Sequence, residues 1–524
     1  MNGPLILTFD VGTQNTRAML VNKSGDILDM EKITYEIPYY SKQIGWAEQS
    51  ADFYWELMCK CSLALKERNE QAFEEIIGVT LTTIRDSVVC VDKKGRPLRD
   101  AILWLDKRET VFEDDFSFSQ KALFKAAGML QTAELIRKTS VCNWIIVNEP
   151  EIWKKTHTFT MISGYLSGKL TGVLMDCSAN MIGHIPFDSK RRKWMRSSDI
   201  RRKVFDIPNS KLCEFVEPGE ILGNITKEAC RETGIPEELP LYASGSDKGC
   251  ETLGLSVTDL SKAALSFGTT ATVQLTSKDY MEAIPFIPAY PAVMRDHYNP
   301  EVEIYRGYWL LNWFMNEFAG EKVQQAEKLG VSPEELMNKQ LKNIPPGCDG
   351  LIFQPYFTPG VSMPEARGAM IGFSDNHTKA HIYRAIIEGI NFALMEGLRG
   401  MEKQAKIRVR ELYAAGGGSK SDEILQITAD MFGIPVKRIQ TYEVAGLGSA
   451  MVGFVGAGQF EDYESAIASM VHVKDTFEPD MSVNEFYNNI YNNVYEKVFT
   501  RLMPLYKRHK DITEENKKVI QGKE

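Results

Sequence analysis

The order of apolar and polar positions near the N-terminus predicts a three-stranded meander. Residues 5–9 form a short apolar run typical of a buried strand, and residues 16–21 and 27–33 have the same β-like character. Asp10 stands at the end of the first strand, and a turn at residues 12–15 follows it at once. Such a turn can hold a phosphate, because clustered backbone N–H groups form an anion-binding concavity. The alternative is an ordinary hairpin with a polar tip.

Apolar strands and helical patterns alternate farther along the chain, which indicates an α/β protein. Ser50 is a candidate N-cap for a helix that runs through about Arg68, because apolar side chains recur there at i, i+4 spacing. Further strands are predicted at residues 79–81, 88–91 and 101–105. The C-terminus, rich in Lys and Glu, predicts a helical or frayed tail.

An internal repeat connects the two halves of the chain. Residues 263–275 repeat the N-terminal pattern of an apolar strand, a Gly-Thr turn and a second β-like run. When the turns are aligned, Gly268–Thr269 corresponds to Gly12–Thr13, and Asp10 falls opposite Ser266. This predicts a duplicated domain whose halves face each other, so that N–H groups of both turns grip one phosphate chain. Only the first copy has the carboxylate, as expected if a single Mg²⁺ is organised from one side.

Composition and charge narrow the class of protein. A chain of 524 residues is too long for one hydrophobic core, so two large domains are expected. The net charge of -9 argues against general binding to nucleic acid or to an anionic membrane, and the basic residues 189–204 are therefore predicted to form a solvated helix face. No run of about 18 apolar residues and no signal-peptide pattern occur, which favours a cytoplasmic protein. The nine scattered cysteines predict reduced, mostly buried thiols.

Two further stretches are candidates for chemistry. Asp247 follows a strand end of small residues and precedes a helical pattern. A carboxylate there can take a proton from a hydroxyl within hydrogen-bond reach, although a helix N-cap is the alternative. The three glycines at residues 416–418 allow a flat ring or a ribose to approach the backbone closely. No Walker A motif occurs, so nucleotide chemistry here is not of the P-loop type.

Taken together and in this order, the motifs resemble those of the FGGY carbohydrate kinases over residues 4–500. The first phosphate motif is matched by Asp10, Gly12, Thr13, Gln14, Asn15 and Arg17, and the second by Gly268, Thr269 and Thr270. The W-x-D-x-R substrate motif is matched by Trp104, Asp106 and Arg108, and the adenosine motif by Gly416, Gly417, Gly418 and Ser419. Residues 368–389 resemble the C-terminal signature, with Phe373 as a departure, and Val141 stands where the N-terminal signature has lysine.

The resemblance implies an α/β fold of two ribonuclease-H-like domains, as in the actin-like ATPases, with a cleft between them. Residues 1–253 would form the domain that binds sugar and carries the first phosphate motif. Residues 254–505 would form the nucleotide-binding domain, and residues 506–524 a charged tail. The implied reaction transfers the γ-phosphoryl group of ATP to a hydroxyl of a small polyol or keto-sugar. Asp247 would be the general base, Asp10 would hold Mg²⁺ through water, and the two phosphate motifs and the adenosine motif would bind ATP.

The residues before the tryptophan motif bear on the substrate. Arg85 and Asp86 stand where glycerol kinases have an Arg-Glu pair, but the preceding glutamine is replaced by Ile84. The M-H-G motif of xylulose kinases is absent, and Lys248 follows the candidate base where glycerol kinases have Gln. Because Asp86 is one methylene shorter than glutamate, it leaves room for one more carbon, and an Arg-Asp pair suits a vicinal diol through bidentate hydrogen bonds. We therefore expect a linear polyol or ketose of about four to six carbons. Glycerol is the alternative substrate, and a mere pairing of Arg85 with Asp86 is the alternative role.

In this hypothesis the indole of Trp104 packs on the carbon face of the substrate, Asp106 takes a hydroxyl, and Arg108 and Lys248 complete the substrate site. Two functions of other classes remain open at this point: a non-enzymatic actin-like ATPase, and a homologue that only binds sugar or nucleotide. The expected partner is a small-molecule sugar or polyol, with no nucleic acid and no membrane. The sequence leaves the oligomeric state open, with a homodimer as one candidate.

Overall fold

The computed structural model describes residues 3–112, 116–285, 287–358, 360 and 363–521. The chain divides into two compact units, each assembled from separate stretches. The first unit comprises Met1–Thr258, Thr276–Asn299 and Glu443–Val471. The second comprises Asp259–Leu275, Pro300–Tyr442 and His472–Glu524. The boundaries predicted from the sequence, 1–253, 254–505 and 506–524, stay a prediction.

The strands and helices alternate along both parts of the chain, as expected for an α/β protein. Up to residue 258 the strands are β1 (Leu5–Val11), β2 (Asn15–Asn22), β3 (Ile27–Thr34), β4 (Glu48–Gln49), β5 (Ile76–Thr83), β6 (Val88–Val91), β7 (Ala101–Ile102), β8 (Thr158–Met161), β9 (Met175–Cys177), β10 (Phe187–Asp188), β11 (Lys193–Trp194), β12 (Glu214–Val216), β13 (Ile221–Asn224) and β14 (Pro240–Ser246). The helices are α1 (Ala51–Arg68), α2 (Glu70–Glu74), α3 (Phe118–Ala126), α4 (Leu130–Thr139), α5 (Val141–Asn148), α6 (Pro150–Lys155), α7 (Ile162–Thr171), α8 (Lys227–Thr233) and α9 (Asp247–Gly254).

The remaining elements follow residue 258. The strands are β15 (Lys262–Phe267), β16 (Ala271–Gln274), β17 (Tyr290–Pro291), β18 (Tyr298–Asn299), β19 (Glu301–Ile304), β20 (Ile352–Gln354), β21 (Ala369–Ile371), β22 (Glu411–Ala415), β23 (Val436–Ile439) and β24 (Val473–Phe477). The helices are α10 (Trp309–Phe318), α11 (Gly320–Leu329), α12 (Pro333–Leu341), α13 (Lys379–Ala405), α14 (Asp422–Phe432), α15 (Val444–Gly456), α16 (Tyr463–Met470), α17 (Met481–Ile490) and α18 (Glu496–Gln521).

The main sheet of the first unit has the strand order β13-β14-β5-β1-β2-β3. The antiparallel strands β1, β2 and β3 form the predicted meander, and β1, β5 and β14 run parallel. Asp10 pairs with Thr82 of β5, and Thr83 of β5 pairs with Ser246 of β14. Because parallel strands end at the same edge of a sheet, Asp10, the residues after Thr83 and Asp247 all leave the sheet at one edge.

The main sheet of the second unit repeats this arrangement in the order β19-β16-β15-β22-β23-β24. Strand β15 is antiparallel to β16 and parallel to β22, just as β1 is antiparallel to β2 and parallel to β5. Ser266 pairs with Ala415 of β22, as Asp10 pairs with Thr82 of β5. The structure thus confirms the predicted repeat of strand, turn and strand, and it extends the repeat to the whole sheet.

Helix α15 packs against the first unit's sheet and against α9, and its glycines allow the close approach. A Cβ at Gly448 would lie 1.9 Å from the carbonyl oxygen of Cys250, and one at Gly453 would lie 2.7 Å from the methyl carbon of Thr80. Only glycine fits at such distances. Although α15 follows most of the second unit in the sequence, it completes the core of the first.

A helix after Ser50 and a strand beginning at Ala101 are both present as predicted, but the N-cap of the helix and the length of the strand differ from the prediction. The helix after Ser50 ends at Arg68 as predicted, but the Ser50 side chain makes no capping hydrogen bond. The strand expected at residues 101–105 is limited to Ala101–Ile102. The chain turns directly afterwards, where the N–H of Asp106 donates to the carbonyl of Leu103 at 2.9 Å.

The prediction of a solvated helix face at residues 189–204 is wrong. The stretch contains the short strand β11 and a 3₁₀ turn at Ile200–Val204. Arg192 has a left-handed backbone (φ 53°) and pairs with Glu217, and both Arg192 and Arg202 are buried. Charge alone could not reveal that these guanidinium groups bind carboxylate and carbonyl oxygens within the fold.

The C-terminal part of the chain is helical as far as the structure describes it. Residues 506–521 of the predicted tail continue α18, and residues 522–524 lie outside the described residues. Among the helices that the structure describes, none is long and apolar enough to cross a membrane.

Candidate active site

Asp10 lies buried at the end of β1, where it forms an ion pair with Arg17. The distance from Asp10 Oδ2 to Arg17 Nη1 is 2.5 Å, and Arg17 Nε lies 3.0 Å from Glu443 Oε2. Burial raises the pKa of Asp10 to about 6 in spite of Arg17, and the negative charges of Asp247 and Glu443 add to the rise. Asp10 and Asp247 are therefore close enough to repel each other.

Asp247 is the first residue of α9, and the N-cap is the preceding Ser246. The Ser246 hydroxyl accepts the N–H of Gly249 at 3.3 Å, so the alternative role of Asp247 as N-cap is wrong. Burial raises the pKa of Asp247, while Arg85 and Lys248 oppose the rise. The ammonium group of Lys248 also lies 3.0 Å from the carboxylate of Glu251.

Arg85 and Asp86 follow β5 at the same edge of the sheet. The guanidinium carbon of Arg85 lies 5.3 Å from the ring centre of Tyr290, a cation–π contact. Asp86 has a left-handed backbone (φ 49°), and its carboxylate accepts two hydrogen bonds from His184. The His184 backbone N–H donates to Oδ1 at 3.1 Å, and Nδ1 lies 2.8 Å from Oδ2.

The W-x-D-x-R motif forms a tight loop after β7. Trp104 donates its indole N–H to the Thr13 hydroxyl at 3.0 Å, which joins this loop to the first phosphate turn. Asp106 accepts hydrogen bonds from the Ala47 N–H and from Arg108, whose guanidinium also pairs with Glu48. Asp106 and Arg108 have only 1% of their side-chain surfaces exposed, so this geometry holds the loop in place. Their role as substrate ligands stays a prediction.

The turn at Gly12–Asn15 is closed within the first unit. The Gly12 N–H donates to the Asn15 carbonyl at 2.9 Å, and the backbone N–H of Tyr35 donates to the Gln14 carbonyl at 2.9 Å. The Tyr35 hydroxyl donates to the Gly12 carbonyl at 3.1 Å. These bonds fix the backbone of the predicted phosphate turn before any ligand arrives.

In the second unit, the turn at Gly268–Thr270 lies against the triple glycine. A Cβ at Gly416, where φ is 81°, would lie 2.7 Å from the carbonyl carbon of Phe267 and 2.9 Å from the N of Gly268. The N–H of Tyr308 donates to the Gly268 carbonyl at 3.0 Å, and the Thr270 hydroxyl donates to the Tyr305 carbonyl at 3.3 Å. The structure therefore brings together two motifs that are far apart in the sequence.

The three glycines differ in what surrounds them. A Cβ at Gly418 would lie 2.3 Å from the ring of Tyr308, whereas at Gly417 the nearest heavy atom would be 4.0 Å away. Ser419 is buried, and its hydroxyl donates to the Gly416 carbonyl at 2.7 Å. Gly416 and Gly418 are thus required by packing, and Gly417 is the one with open space beside it.

The carboxylates fit a magnesium ion held largely by water and phosphate. Mg²⁺ is commonly bound by one or two carboxylates together with waters and substrate phosphates. Asp10 and Asp247 repel each other, and a divalent cation near them would relieve that repulsion. Within the part of the chain that the structure describes, no cluster of three or more His, Cys, Asp or Glu residues could hold a metal ion. Asp10, together with waters and substrate phosphates, fits the usual way in which Mg²⁺ is bound.

Several residues of the site were not found from the sequence. His184 and Tyr290 contact Asp86 and Arg85, Glu443 pairs with Arg17, and Arg438 donates to the Ser419 carbonyl at 3.2 Å. Each lies in a different part of the chain from its partner, and no local pattern marks it. A glycine directly before His184 is a sequence signal for an unusual backbone or a close approach. In the structure, Gly183 has φ 113° and faces the Asp86 carboxylate.

Sequence profiles decide the family. The profile of the FGGY family of carbohydrate kinases, N-terminal domain, matches residues 5–254, and that of the C-terminal domain matches residues 263–457. The chain belongs to this family. The class of enzyme is therefore a carbohydrate kinase, which uses ATP to phosphorylate a sugar.

Individual FGGY proteins are similar over nearly the whole chain. The uncharacterized sugar kinase YgcE of Escherichia coli (strain K12) is 30% identical over 486 residues, 91% of this chain and 90% of that protein. A xylulose kinase of Staphylococcus epidermidis is 27% identical over 498 residues, 92% of this chain and 94% of that protein.

The solved structure of ligand-bound xylulose kinase from Lactobacillus acidophilus has a TM-score of 0.81 at 20% identity, covering 97% of this chain and 100% of that chain. At this identity the likeness shows the fold. It confirms the predicted α/β fold with two domains of the actin-like ATPase type.

Proposed function

We propose that this FGGY kinase transfers the γ-phosphoryl group of ATP to a hydroxyl of a linear, uncharged polyol or keto-sugar of about four to six carbons. The size is inferred from Asp86, which is one methylene shorter than the glutamate of glycerol kinases and leaves room for one more carbon. One observation supports this most directly. Asp247 is a half-buried carboxylate at the start of α9, at the edge of the sheet where Asp10 and Arg85 also lie. Phosphoryl transfer needs such a group to orient and deprotonate the attacking hydroxyl.

Asp247 has the properties of a general base. Its burial raises the pKa, so its carboxylate accepts a proton more readily than a carboxylate in water does. Arg85 and Lys248 oppose the rise and favour the ionised form that a base requires. The N–H of Lys248 donates to Oδ1 of Asp247 at 2.8 Å, which restricts the carboxylate orientation.

The ATP-binding roles follow from the two turns. In the first unit, the turn of Gly12, Thr13, Gln14 and Asn15 would bind phosphate, with the Gly12 N–H engaged in closing the turn, while Arg17 holds Asp10 in position. Asp10 would hold Mg²⁺, which when bound neutralises the charge that develops on the phosphoryl oxygens. In the second unit, Gly268, Thr269 and Thr270 would bind phosphate. Gly416, Gly417, Gly418 and Ser419 would bind adenosine.

The charges near Asp247 favour an uncharged substrate over a sugar acid. Arg85 acts on Asp247, Lys248 pairs with Glu251, and His184 pairs with Asp86. Lys248 and His184 each pair with a carboxylate and Arg85 acts on that of Asp247, so among the described residues near the base a sugar acid would find little unpaired positive charge. Vicinal hydroxyls, in contrast, can both donate to and accept from such pairs.

Trp104 would contact the carbon face of the substrate, because an indole ring offers a flat apolar surface. Asp106 and Arg108 are proposed to hold that indole in place through the buried loop. Arg85 and Lys248 would complete the substrate site, beside Asp86 with its hydrogen bonds to His184.

A coupled assay of ADP release tests the function and the substrate class together. Wild-type protein with Mg²⁺-ATP would be given xylitol, D-ribulose, D-xylulose, glycerol and D-gluconate in turn. We expect turnover that depends on one of the uncharged compounds of five carbons. A clear preference for glycerol would favour the glycerol kinase alternative, and one for D-gluconate would contradict the charge argument. ADP release without any sugar would favour an ATPase of another class.

A further inference from the structure

The loop from Ser178 to His184 lies along the sheet edge that carries Asp247. Near its start, Ala179 contacts Gly245, since a Cβ at Gly245 would lie 3.0 Å from the Cβ of Ala179. At its end, His184 bonds to Asp86, the residue next to Arg85. The loop is thus anchored at two points, close in sequence to the candidate base and to the candidate substrate-binding arginine.

The imidazole of His184 is held rigidly. Asp86 binds both its backbone N–H and its Nδ1, and the Ser140 hydroxyl donates to its carbonyl at 3.2 Å. Gly183 makes this possible, because a side chain there would place Cβ 2.3 Å from the carboxyl carbon of Asp86. Asp86 has an unusual left-handed backbone that aims its carboxylate at this loop.

The other nitrogen of the ring remains available. Among the residues that the structure describes, none accepts a hydrogen bond from Nε2 of His184, and 38% of the side-chain surface is exposed. Burial lowers the pKa of His184, but the carboxylate of Asp86 outweighs it and raises the pKa above the usual value. A ring with Nδ1 bound to a carboxylate and Nε2 directed elsewhere is a pre-positioned donor.

We infer that His184 is a specificity-determining residue that donates a hydrogen bond from Nε2 to a hydroxyl of the sugar or polyol, and that Asp86 positions it. This rests on the proposed function. Both oxygens of Asp86 are occupied by His184, so Asp86 acts on the substrate through the imidazole. The acid that the sequence alone suggested as a direct ligand is thereby replaced by a histidine distant in the chain.

The test compares steady-state kinetics of wild type with His184→Ala, His184→Gln, Asp86→Asn and the double variant His184→Ala/Asp86→Asn. The probe is whichever of D-xylulose, D-ribulose, xylitol and glycerol gives the wild type its highest kcat/KM. We expect His184→Ala to lower kcat/KM for this probe about 10-fold, mainly through KM, with KM for ATP changed less than about twofold. His184→Gln, which keeps a donor, should recover part of the loss.

The double variant separates positioning from direct binding. If Asp86 acts through His184, the double variant should be no worse than His184→Ala alone, because the two residues then act as one unit. His157→Ala is the matched control, since this exposed histidine contacts Thr158 and should behave as wild type. Thermal unfolding of every variant identifies those that fail to fold. If His184→Ala is one of them, the test rests on His184→Gln, whose side chain is closer in size to histidine.

The possible failures can be told apart. Wild-type turnover that depends on sugar, with unchanged sugar KM in both His184 variants, would overturn the inference alone. A rise in KM for ATP as large as the rise in KM for the sugar would also overturn it. So would a double variant whose loss in kcat/KM is the sum of the losses of His184→Ala and Asp86→Asn. An absence of any sugar-dependent turnover in the wild type would overturn the proposed function, and this inference with it.

Discussion

The indole N–H of Trp104 donates to the hydroxyl of Thr13 at 3.0 Å and thereby connects two loops with different proposed tasks. Trp104 belongs to the loop proposed to contact the sugar, and Thr13 to the turn proposed to bind phosphate. The backbone N–H of Trp104 also lies 3.3 Å from the Ser87 hydroxyl, just after the Arg85–Asp86 pair. A change in the sugar loop can therefore alter the geometry of the phosphate turn without any contact between the two substrates.

A double-mutant cycle on this pair measures the connection. Trp104→Phe keeps an aromatic face but removes the donor, and Thr13→Val keeps the shape but removes the acceptor. We expect a coupling energy of about 0.5–1.5 kcal/mol in kcat/KM for ATP, the usual net value of such a bond. Additive losses in the cycle would show that the bond does not transmit between the loops.

Asp247→Asn tests the general base. The amide keeps the size of the side chain but cannot take a proton, so we expect kcat to fall at least ~10²-fold while nucleotide binding persists. Asp92→Asn is the matched control, because it makes the same exchange at a residue that pairs with the exposed Arg96, and it should leave kcat unchanged. Near wild-type turnover of Asp247→Asn would end this assignment.

Arg85→Ala should weaken substrate use and shift its pH dependence. We expect a loss of ~1–3 kcal/mol in kcat/KM for the sugar, the cost of leaving a buried polar partner unpaired. Catalysis needs ionised Asp247, so activity falls as the pH drops through its pKa. Arg85 lowers that pKa, and its removal should move the acid limb of the kcat/KM profile to higher pH.

The exposed Arg96, which pairs with Asp92, supplies the control for this variant. Arg96→Ala should leave the sugar kinetics and the acid limb unchanged. An acid limb that stayed in place in Arg85→Ala would contradict the influence of Arg85 on the base.

Gly417→Val tests the adenosine motif. The added side chain has open space on the protein side, so the fold should tolerate it while the approach of adenosine is blocked. We expect KM for ATP to rise more than KM for the sugar. Gly400→Val is the control, because Gly400 of α13 also has open space at Cβ and lies outside the motif. A selective loss of sugar affinity in Gly417→Val would assign the loop to another site.

The sequence predicted those parts of the fold that depend on the order of neighbouring residues. Strands β1, β2 and β3 and the strand-to-helix step at Asp247 follow from short apolar runs and turns, and each is confirmed. The apolar run at residues 101–105 was misleading, because burial alone does not distinguish a paired strand from a loop that turns at Trp104.

The contacts around the site could not be predicted in the same way. Asp86 and His184 are 98 residues apart, and nothing in the sequence near either residue identifies the other. Arg17 and Glu443 are farther apart still in the sequence. They come into contact only because the chain returns to the first unit at Glu443, just before α15. The motifs predicted which loops matter, and the tertiary fold decides which side chains of those loops remain available to a ligand.

The position of α15 has a consequence for how the protein is made. Translation of residues 1–258 delivers every strand of the first main sheet, but the helix that packs on β1, β5 and β14 begins only at Val444. Until then the nascent chain exposes apolar surface around Ile6, which α15 later covers at Gly453. We expect the first unit to become stable only after synthesis is nearly complete, with chaperones shielding it meanwhile. A stop codon placed between the two halves would yield an aggregating fragment rather than a folded half-kinase.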